Sequence, residues 1–151
     1  MSLEVSTTLE VLDQVLAWFE QIHHPTIQQK DWLQCQLALA EAFTNAVRHA
    51  HRDLPPTTPI TLAAALHPGV LELRIWDCGP PFDLTTYLDT NATSLQRHQA
   101  GGGRGLAILT KIADRLSYDR TADERNCLVL FKKYQPIGEQ EPTGYDPPTE
   151  A

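Results

Sequence analysis

The sequence predicts an α+β fold, because helical and strand periods occupy separate segments of one chain. Residues 28–51 repeat apolar side chains at the spacing of a helix. Residues 60–66 and 70–76 instead alternate apolar and polar side chains, as half-buried strands do. A third helical segment begins at residues 101–104, and two further short strand-like runs follow it.

Length and charge indicate how the chain is organised. It has 151 residues, enough for one domain with its own hydrophobic core. We assign that domain to residues 1–134. Residues 135–151 are rich in Pro, Glu and Gly and contain no Lys or Arg, which predicts a disordered acidic tail.

Composition narrows the classes of partner. The net charge is −7 and no basic face is visible, so we expect neither nucleic acid nor a membrane as a partner. The apolar runs are too short to span a bilayer and the N-terminus lacks a signal-peptide pattern, so we expect a cytoplasmic protein. A protein partner or a small ligand is the better hypothesis.

The first half of the chain predicts one strand and two helices. Residues 2–6 favour a short strand, and helix one follows a cap at Ser6 or Thr7. Helix two covers residues 28–51. Its apolar stripe contains Trp32, Cys35, Leu39, Phe43, Ala46 and Val47. Its opposite face contains Gln34, Glu41, Asn45, Arg48 and Arg52.

The second half predicts a hairpin, a long loop, the third helix and two more strands. Pro68-Gly69 is typical of a type II turn, which would join the strands at 60–66 and 70–76. Residues 80–100 are polar and long for a connection, and such loops in compact domains are usually functional or mobile. The last two strands lie around residues 115–120 and 127–132.

Asp77 carries an unexpected charge for its place in a strand. It shares the parity of Leu71, Leu73 and Ile75, so the alternation directs its carboxylate toward the core. Burying an unpaired carboxylate costs several kcal/mol. A carboxylate accepts well from an exocyclic amine such as that of adenine, and Gly79 would allow close approach of a flat ring. The alternative is an Asp that begins a turn at a strand end.

Two polar residues of helix two lie one turn apart. Glu41 and Asn45 are neighbours on one helical face, which suits a shared chemical role. The alternative is ordinary solvation of a polar face. His49 follows them, and a surface or capping role explains it equally well.

The glycine run before helix three favours phosphate binding. Residues 101–105 read Gly-Gly-Gly-Arg-Gly, and free backbone N–H groups at a helix N-terminus attract anions. Arg104 adds a cation. The run has neither the Lys-Ser/Thr of a Walker A loop nor the context of the dinucleotide fingerprint. A flexible hinge is the alternative.

Taken in order, these segments resemble the GHKL (histidine-kinase-like) ATPase superfamily. "EAFTNAVRHA" is similar to its N box, "DCGPPFD" to its first glycine box and "GGGRGLAIL" to its second. The resemblance covers residues 7–133 and is strongest to the small anti-sigma-factor serine/threonine kinases. It implies a two-layer α/β sandwich, with a mixed, mostly antiparallel sheet covered on one face by about three helices.

The same resemblance implies roles for individual residues. Asn45 would hold Mg²⁺, and Glu41 would act as general base or orient the attacking hydroxyl. Asp77 would accept from the adenine amine of ATP in a slot beside the sheet, with Gly79 against the ring. The remaining implied nucleotide-binding residues are His49, Gly101, Gly102, Gly103, Arg104, Gly105 and Leu106. Residues 82–100 would form a lid over ATP.

Two departures from the family pattern stand out. Pro81 takes the place of a glycine that many members carry, which stiffens the entry to the lid. Arg104 replaces a more frequent apolar residue between the glycines.

The implied function is that of an ATP- and Mg²⁺-dependent serine/threonine protein kinase. It would phosphorylate a serine on an anti-sigma-factor antagonist protein and sequester a sigma factor or another regulator by partner switching. Members of the group are often homodimers, so a homodimer is implied as well. Two alternatives stay open: an ATP-gated protein-binding module without phosphotransfer, and an ATP-hydrolysing fragment that acts on no protein.

Overall fold

The computed structural model describes residues 1–84 and 103–137, with Gly103 and Arg104 described by their backbone alone. Strands and helices follow the grouped order that the sequence predicts. The strands are β1 (Ser2–Val5), β2 (Ile60–His67), β3 (Val70–Asp77), β4 (Arg115–Arg120) and β5 (Asn126–Lys133). The helices are α1 (Leu12–Glu20), α2 (Gln29–Asn45) and α3 (Gly103–Ile112). A short 3₁₀ turn (Leu9–Val11) precedes α1, and a π-helical segment (Ala46–Ala50) continues α2.

The five strands form one sheet in the order β1-β2-β3-β5-β4. Each of the four neighbouring pairs is antiparallel. The predicted α+β class and the helix-covered sheet are therefore confirmed, and the strand pairs of the described chain are antiparallel throughout rather than mixed. β5 inserts between β3 and β4, so the two strands that flank the third helix in sequence are not neighbours in the sheet.

Alternation along the strands defines the face of the sheet that the helices cover. β3 alternates half-buried and buried residues along its whole length, and its buried set ends in Asp77. The buried residues of β2 and β5 join it in one core with apolar side chains of all three helices. Leu39 of α2 and Leu109 of α3 are fully buried in this core. The site residues of β3 and β5 thus lie on the same side of the sheet as the helices.

Aromatic stacking holds α1 against α2. The rings of Phe19 and Trp32 stack with centroids 4.5 Å apart, and the His23 ring stacks on Trp32 at 4.4 Å. The indole N–H of Trp32 donates to Glu20 Oε2 at 3.1 Å. Such ring pairs stabilise a contact by more than the burial of their apolar area alone. These contacts at Trp32 fix the N-terminal half of α2. Because the helix is continuous, they also help to position Glu41 and Asn45 near its other end.

Element boundaries differ from the predicted ones in two informative places. The cap of the first helical segment is Thr8, whose side chain accepts from the Glu10 N–H, rather than Ser6 or Thr7. Helix two ends its α-helical part at Asn45 and continues as a π turn, where the sequence predicts an unbroken helix to residue 51.

Gly69, between β2 and β3, has φ of +73°, as the third position of a type II turn requires.

The tail lies largely outside the described residues. Within it, Pro136 forms a β-bridge with Ile27, and the Ile137 N–H donates to Thr26 O at 2.6 Å. Residues 135–137 are therefore attached to the loop before α2. Among the described helices, none combines the length and apolarity needed to cross a bilayer.

Two leucines of α2 give a matched test of this packing. Leu39 is 0% exposed, whereas Leu37 on the same helix is 46% exposed. Leu39→Ala should cost about 2–5 kcal/mol of unfolding free energy, because it removes buried methyl groups and leaves a cavity. Leu37→Ala should cost less than about 1 kcal/mol. Urea unfolding of both variants measures the difference, and equal losses would show that α2 does not present this face to the core.

Candidate functional site

Glu41 and Asn45 lie at the C-terminal end of α2, where the helix changes its hydrogen-bonding pattern. Asn45 is the last residue of α2, and the His51 N–H donates to Ala46 O at 2.9 Å, a bond that spans five residues. Single π turns inside helices are frequent at functional sites. Glu41 and Asn45 are both half-buried. The helix thus presents a carboxylate and an amide one turn apart, next to a local distortion.

Gly105 places the start of α3 against these two side chains. A methyl group built on Gly105 would lie 3.0 Å from Glu41 Oε2 and 3.1 Å from Asn45 Oδ1. A real side chain would therefore press on both polar groups. The predicted N box and second glycine box meet at this contact. Leu106 follows in α3 and packs against the core.

Gly79 makes a second close approach to the helix-two segment. A methyl group built on Gly79 would lie 2.5 Å from the carbonyl oxygen of Ala50, closer than real side chains come. Only glycine fits here without a backbone shift. The turn after β3 is therefore seated against the end of the π segment, five residues beyond Asn45.

Asp77 is buried, and its carboxylate is bonded by three donors. The residue is only 2% exposed. Oδ1 accepts from the Gly79 N–H and from Asn126 Nδ2, both at 2.9 Å. Oδ2 accepts from the Tyr118 hydroxyl in a short hydrogen bond. These bonds offset much of the cost of burying the carboxylate.

Asn126 and Arg120 hold the chain that leaves β3. Asn126, 1% exposed, also donates to Gly79 O at 3.2 Å and to Pro80 O at 2.9 Å. Arg120 donates to Gly79 O at 2.8 Å and to Asn126 Oδ1 at 3.3 Å. The carbonyl groups of Gly79 and Pro80 are therefore held by side chains of β4 and β5.

A buried histidine connects the same turn to the start of the chain. The Cys78 N–H donates to His51 Nε2 at 2.7 Å, so Nδ1 carries the proton of the neutral ring. Nδ1 donates to Thr7 Oγ1 at 2.7 Å, and Thr7 donates to Thr58 O at 2.6 Å. Burial lowers the pKa of His51, and the nearby Asp77 charge opposes that shift. The neutral imidazole is the form that completes this chain.

A cleft of about 480 Å³ is lined in part by Tyr118 and Asn126, the two side chains that donate to Asp77. Such a volume is in the range of small-molecule sites. Its wall includes Phe82, Leu116, Tyr118, Arg120 and Asn126. The rings of Phe82 and Tyr118 meet edge to face, with centroids 5.8 Å apart. An aromatic wall beside a buried carboxylate suits a flat ligand with a polar edge.

The structure brings five of the eleven predicted site residues into two contacts along helix two. Gly105 lies against Glu41 and Asn45, and Gly79, which is bonded to Asp77, lies against Ala50. His49 is exposed on the π turn. Gly103 and Arg104 are the first two residues of α3. Gly101, Gly102 and residues 85–100 of the expected lid lie outside the described residues.

Sequence reasoning missed Asn126, Tyr118, Arg120 and His51. Asn126 shares the parity of Leu128 and Leu130, so the signal that singled out Asp77 was present there too. His51 follows Val47 by four residues and so continues the apolar stripe of helix two. In both cases a polar residue on a core-facing position marked a buried hydrogen-bond network.

No metal centre made of protein side chains is present in the described parts of the chain. Within residues 1–84 and 103–137, three or more His, Cys, Asp or Glu side chains do not cluster in a way that could hold a metal ion.

An antiparallel sheet covered by helices, with a carboxylate at a strand end and two glycines packed against one helix, is typical of a GHKL-type ATPase domain. The family model described as a histidine kinase-like ATPase domain matches residues 5–132. The chain belongs to this family, and the superfamily resemblance of the sequence is confirmed.

Two solved structures show the same fold. One is the SiaB-SiaC complex from Pseudomonas aeruginosa, with TM-score 0.62 and 12% identity over 87% of this chain and 88% of the matched chain. The other is the nucleotide-free catalytic domain of histidine kinase ThkA, with TM-score 0.53 and 13% identity over 90% and 99% of the two chains. No curated protein matches the sequence.

The histidine network gives the site a predictable dependence on pH. The pKa of His51 is lowered in the fold, so the unfolded chain takes up a proton that the folded chain excludes. Stability should therefore fall as the pH drops through about 6.5, the ordinary pKa of histidine. Urea unfolding between pH 7.5 and pH 5 should show a steeper loss in the wild type than in His51→Gln. The exposed His49→Gln is the control and should keep the wild-type slope; equal slopes in all three proteins would refute the neutral assignment.

Proposed function

We propose that this protein is an ATP-binding serine/threonine protein kinase of the anti-sigma-factor type. The observation that carries the proposal is the contact of Gly105 with Glu41 and Asn45. It places the N-terminus of α3, where phosphates are favoured, beside an amide and a carboxylate. Membership of the histidine kinase-like ATPase family supports ATP as the nucleotide.

ATP would lie along this series of contacts. Its adenine would occupy the slot next to Asp77 and Gly79, and its phosphates would meet the backbone of residues 101–106. Asn45 would bind Mg²⁺ through its side-chain oxygen. Magnesium usually keeps several waters and takes phosphate oxygens of the nucleotide as ligands, so it needs few ligands from the protein. The ion would neutralise charge on the phosphates.

Glu41 would handle the proton of the acceptor hydroxyl. In the proposed reaction a serine oxygen attacks the γ-phosphorus, the bond to the β–γ bridging oxygen breaks, and ADP leaves. Glu41 would accept or orient the hydroxyl proton. Its half-buried carboxylate lies next to Gly105, within the same cluster as Asn45.

The substrate is proposed to be an anti-sigma-factor antagonist protein, phosphorylated on a serine. The protein would also sequester a sigma factor or another regulator, exchange these partners according to its nucleotide, and act as a cytoplasmic homodimer. A structural neighbour was solved as a complex of two proteins, SiaB and SiaC, which supports a protein-binding role for the fold.

An ATP-gated binding module is the second candidate. The same neighbour supports it, because that structure is a complex of two proteins. In such a module ATP would set the shape of a binding surface, and no phosphate would reach the partner. The presence of both Glu41 and Asn45 in contact with Gly105 favours the kinase.

Two substitutions separate binding from transfer. Asn45→Ala should abolish measurable Mg²⁺-ATP binding in calorimetric titration, because it removes the proposed metal ligand. Glu41→Gln should keep ATP affinity within about threefold and lower transfer by about 100-fold or more, since a positioned base contributes that much. Transfer is measured with γ-labelled ATP, Mg²⁺ and candidate antagonist proteins. Gln34→Ala, on the polar face of the same helix, is the control.

The outcomes assign the function. Label on a serine that disappears in Glu41→Gln supports the kinase. ATP-dependent partner binding without label supports the module. Unchanged Mg²⁺-ATP affinity in Asn45→Ala would contradict the role of this residue in both candidates.

A further inference from the structure

The hydrogen bonds of Asp77 leave little capacity for a ligand. Oδ1 already accepts two donors, the Gly79 N–H and Asn126 Nδ2. Oδ2 accepts the Tyr118 hydroxyl. A carboxylate oxygen accepts about two hydrogen bonds, so Oδ1 is saturated. A ligand amine that reaches this carboxylate must therefore come to Oδ2, beside Tyr118.

Tyr118 also forms part of the wall of the cleft. Asp77 itself is 2% exposed, whereas Tyr118 lines the cleft with Asn126, Arg120 and Phe82. The Phe82 ring packs edge to face against the Tyr118 ring. The tyrosine thus contacts the cleft with its ring and Asp77 with its hydroxyl. Any group moving from the cleft to Oδ2 meets Tyr118 first.

The tyrosine is a permanent donor in this arrangement. Its pKa is raised well above the ordinary value by burial, and also by the hydrogen bond to Asp77 and the charge of that carboxylate. The hydroxyl is therefore protonated at any physiological pH. It occupies one side of Oδ2 and does not itself become a negative charge in the site.

We propose that Tyr118 determines affinity and base specificity at this site, because its hydroxyl holds the position on Asp77 that the exocyclic amine of an adenine nucleotide takes. The proposal rests on the proposed function, namely that Asp77 accepts from the base. Tyr118 lines the cleft and Asp77 does not, so the acceptor position of Oδ2 that faces the cleft is the one the hydroxyl fills. A base that enters from the cleft therefore exchanges one donor for another on Oδ2 instead of adding a new hydrogen bond. Since the protein gives up the Tyr118 bond, the amine contributes little net affinity in the wild-type protein.

Removing the Tyr118 hydroxyl should increase the affinity for ATP. In Tyr118→Phe, Oδ2 is free to accept, and the amine adds a bond without displacing one. A net hydrogen bond contributes roughly 0.5–1.5 kcal/mol, so ATP should bind about 2- to 13-fold more tightly. Purine riboside triphosphate, which lacks the 6-amino group, should bind both proteins with the same affinity within about twofold. The ratio of the affinity for ATP to that for purine riboside triphosphate measures the contribution of the 6-amino group alone.

The experiment is calorimetric titration of the full chain with each nucleotide and Mg²⁺. Tyr134→Phe is the matched control, because its hydroxyl donates to His67 O at 3.1 Å on an exposed part of the molecule. This variant should bind both nucleotides as the wild type does. A selective gain for ATP in Tyr118→Phe supports the proposal.

Two outcomes overturn it in distinguishable ways. If the wild type binds ATP and Tyr118→Phe binds it no more tightly, or gains equally for both nucleotides, Tyr118 does not compete with the amine and the proposed function is unaffected. If neither protein binds ATP, the proposed function fails and the proposal fails with it.

If Tyr118→Phe does not fold, an NMR measurement that keeps Tyr118 tests the same proposal. The chain has four tyrosines, at 87, 118, 134 and 145. Replacing the other three by Phe leaves Tyr118 as the only ¹³Cζ-labelled tyrosine in an NMR spectrum. Its signal should shift on saturation with ATP and shift less with purine riboside triphosphate. Equal shifts, or none, would overturn the proposal.

Discussion

A buried carboxylate is the constraint on which this site depends. Asp77 sits on the core-facing side of β3, where an ionised group is costly unless donors surround it. The donors come from three places: the turn after β3, Asn126 of β5 and Tyr118 of β4. Satisfying one charge therefore fixes the relative positions of three strands and of the turn that follows them. The same bonds shape the cleft beside them.

The helix-two segment is the second organising element, and two glycines seat the rest of the site on it. Gly79 lies against Ala50 at one end of the π turn, and Gly105 lies against Glu41 and Asn45 before it. Because neither glycine carries a side chain, the turn after β3 and the start of α3 approach the same helix closely. Residues far apart in sequence thereby form one cluster that combines a carboxylate, an amide and a helix N-terminus.

Much of the fold could be predicted from the sequence, because local periods dictate it. The alternation in β2 and β3, the Pro-Gly turn between them and the apolar stripe of α2 are local signals, and each corresponds to an observed element. The burial of Asp77 followed from the same alternation. The resemblance to the GHKL superfamily then indicated the family and the residues that would meet.

The partners of Asp77 could not be predicted, because they depend on the order of strands in the sheet. Tyr118 and Asn126 reach this carboxylate only because β5 inserts between β3 and β4. The π turn could not be predicted either, because no Gly or Pro marks the change of helical period after Asn45.

The most direct test of the account is a crystal structure of the protein with Mg²⁺ and a non-hydrolysable ATP analogue. The adenine amine should lie within hydrogen-bond distance of Asp77 Oδ2, about 2.7–3.2 Å, with the Tyr118 hydroxyl displaced from that oxygen. The metal should lie at Asn45 and the phosphates at the start of α3. A nucleotide bound elsewhere, with the Tyr118–Asp77 bond intact, would contradict it.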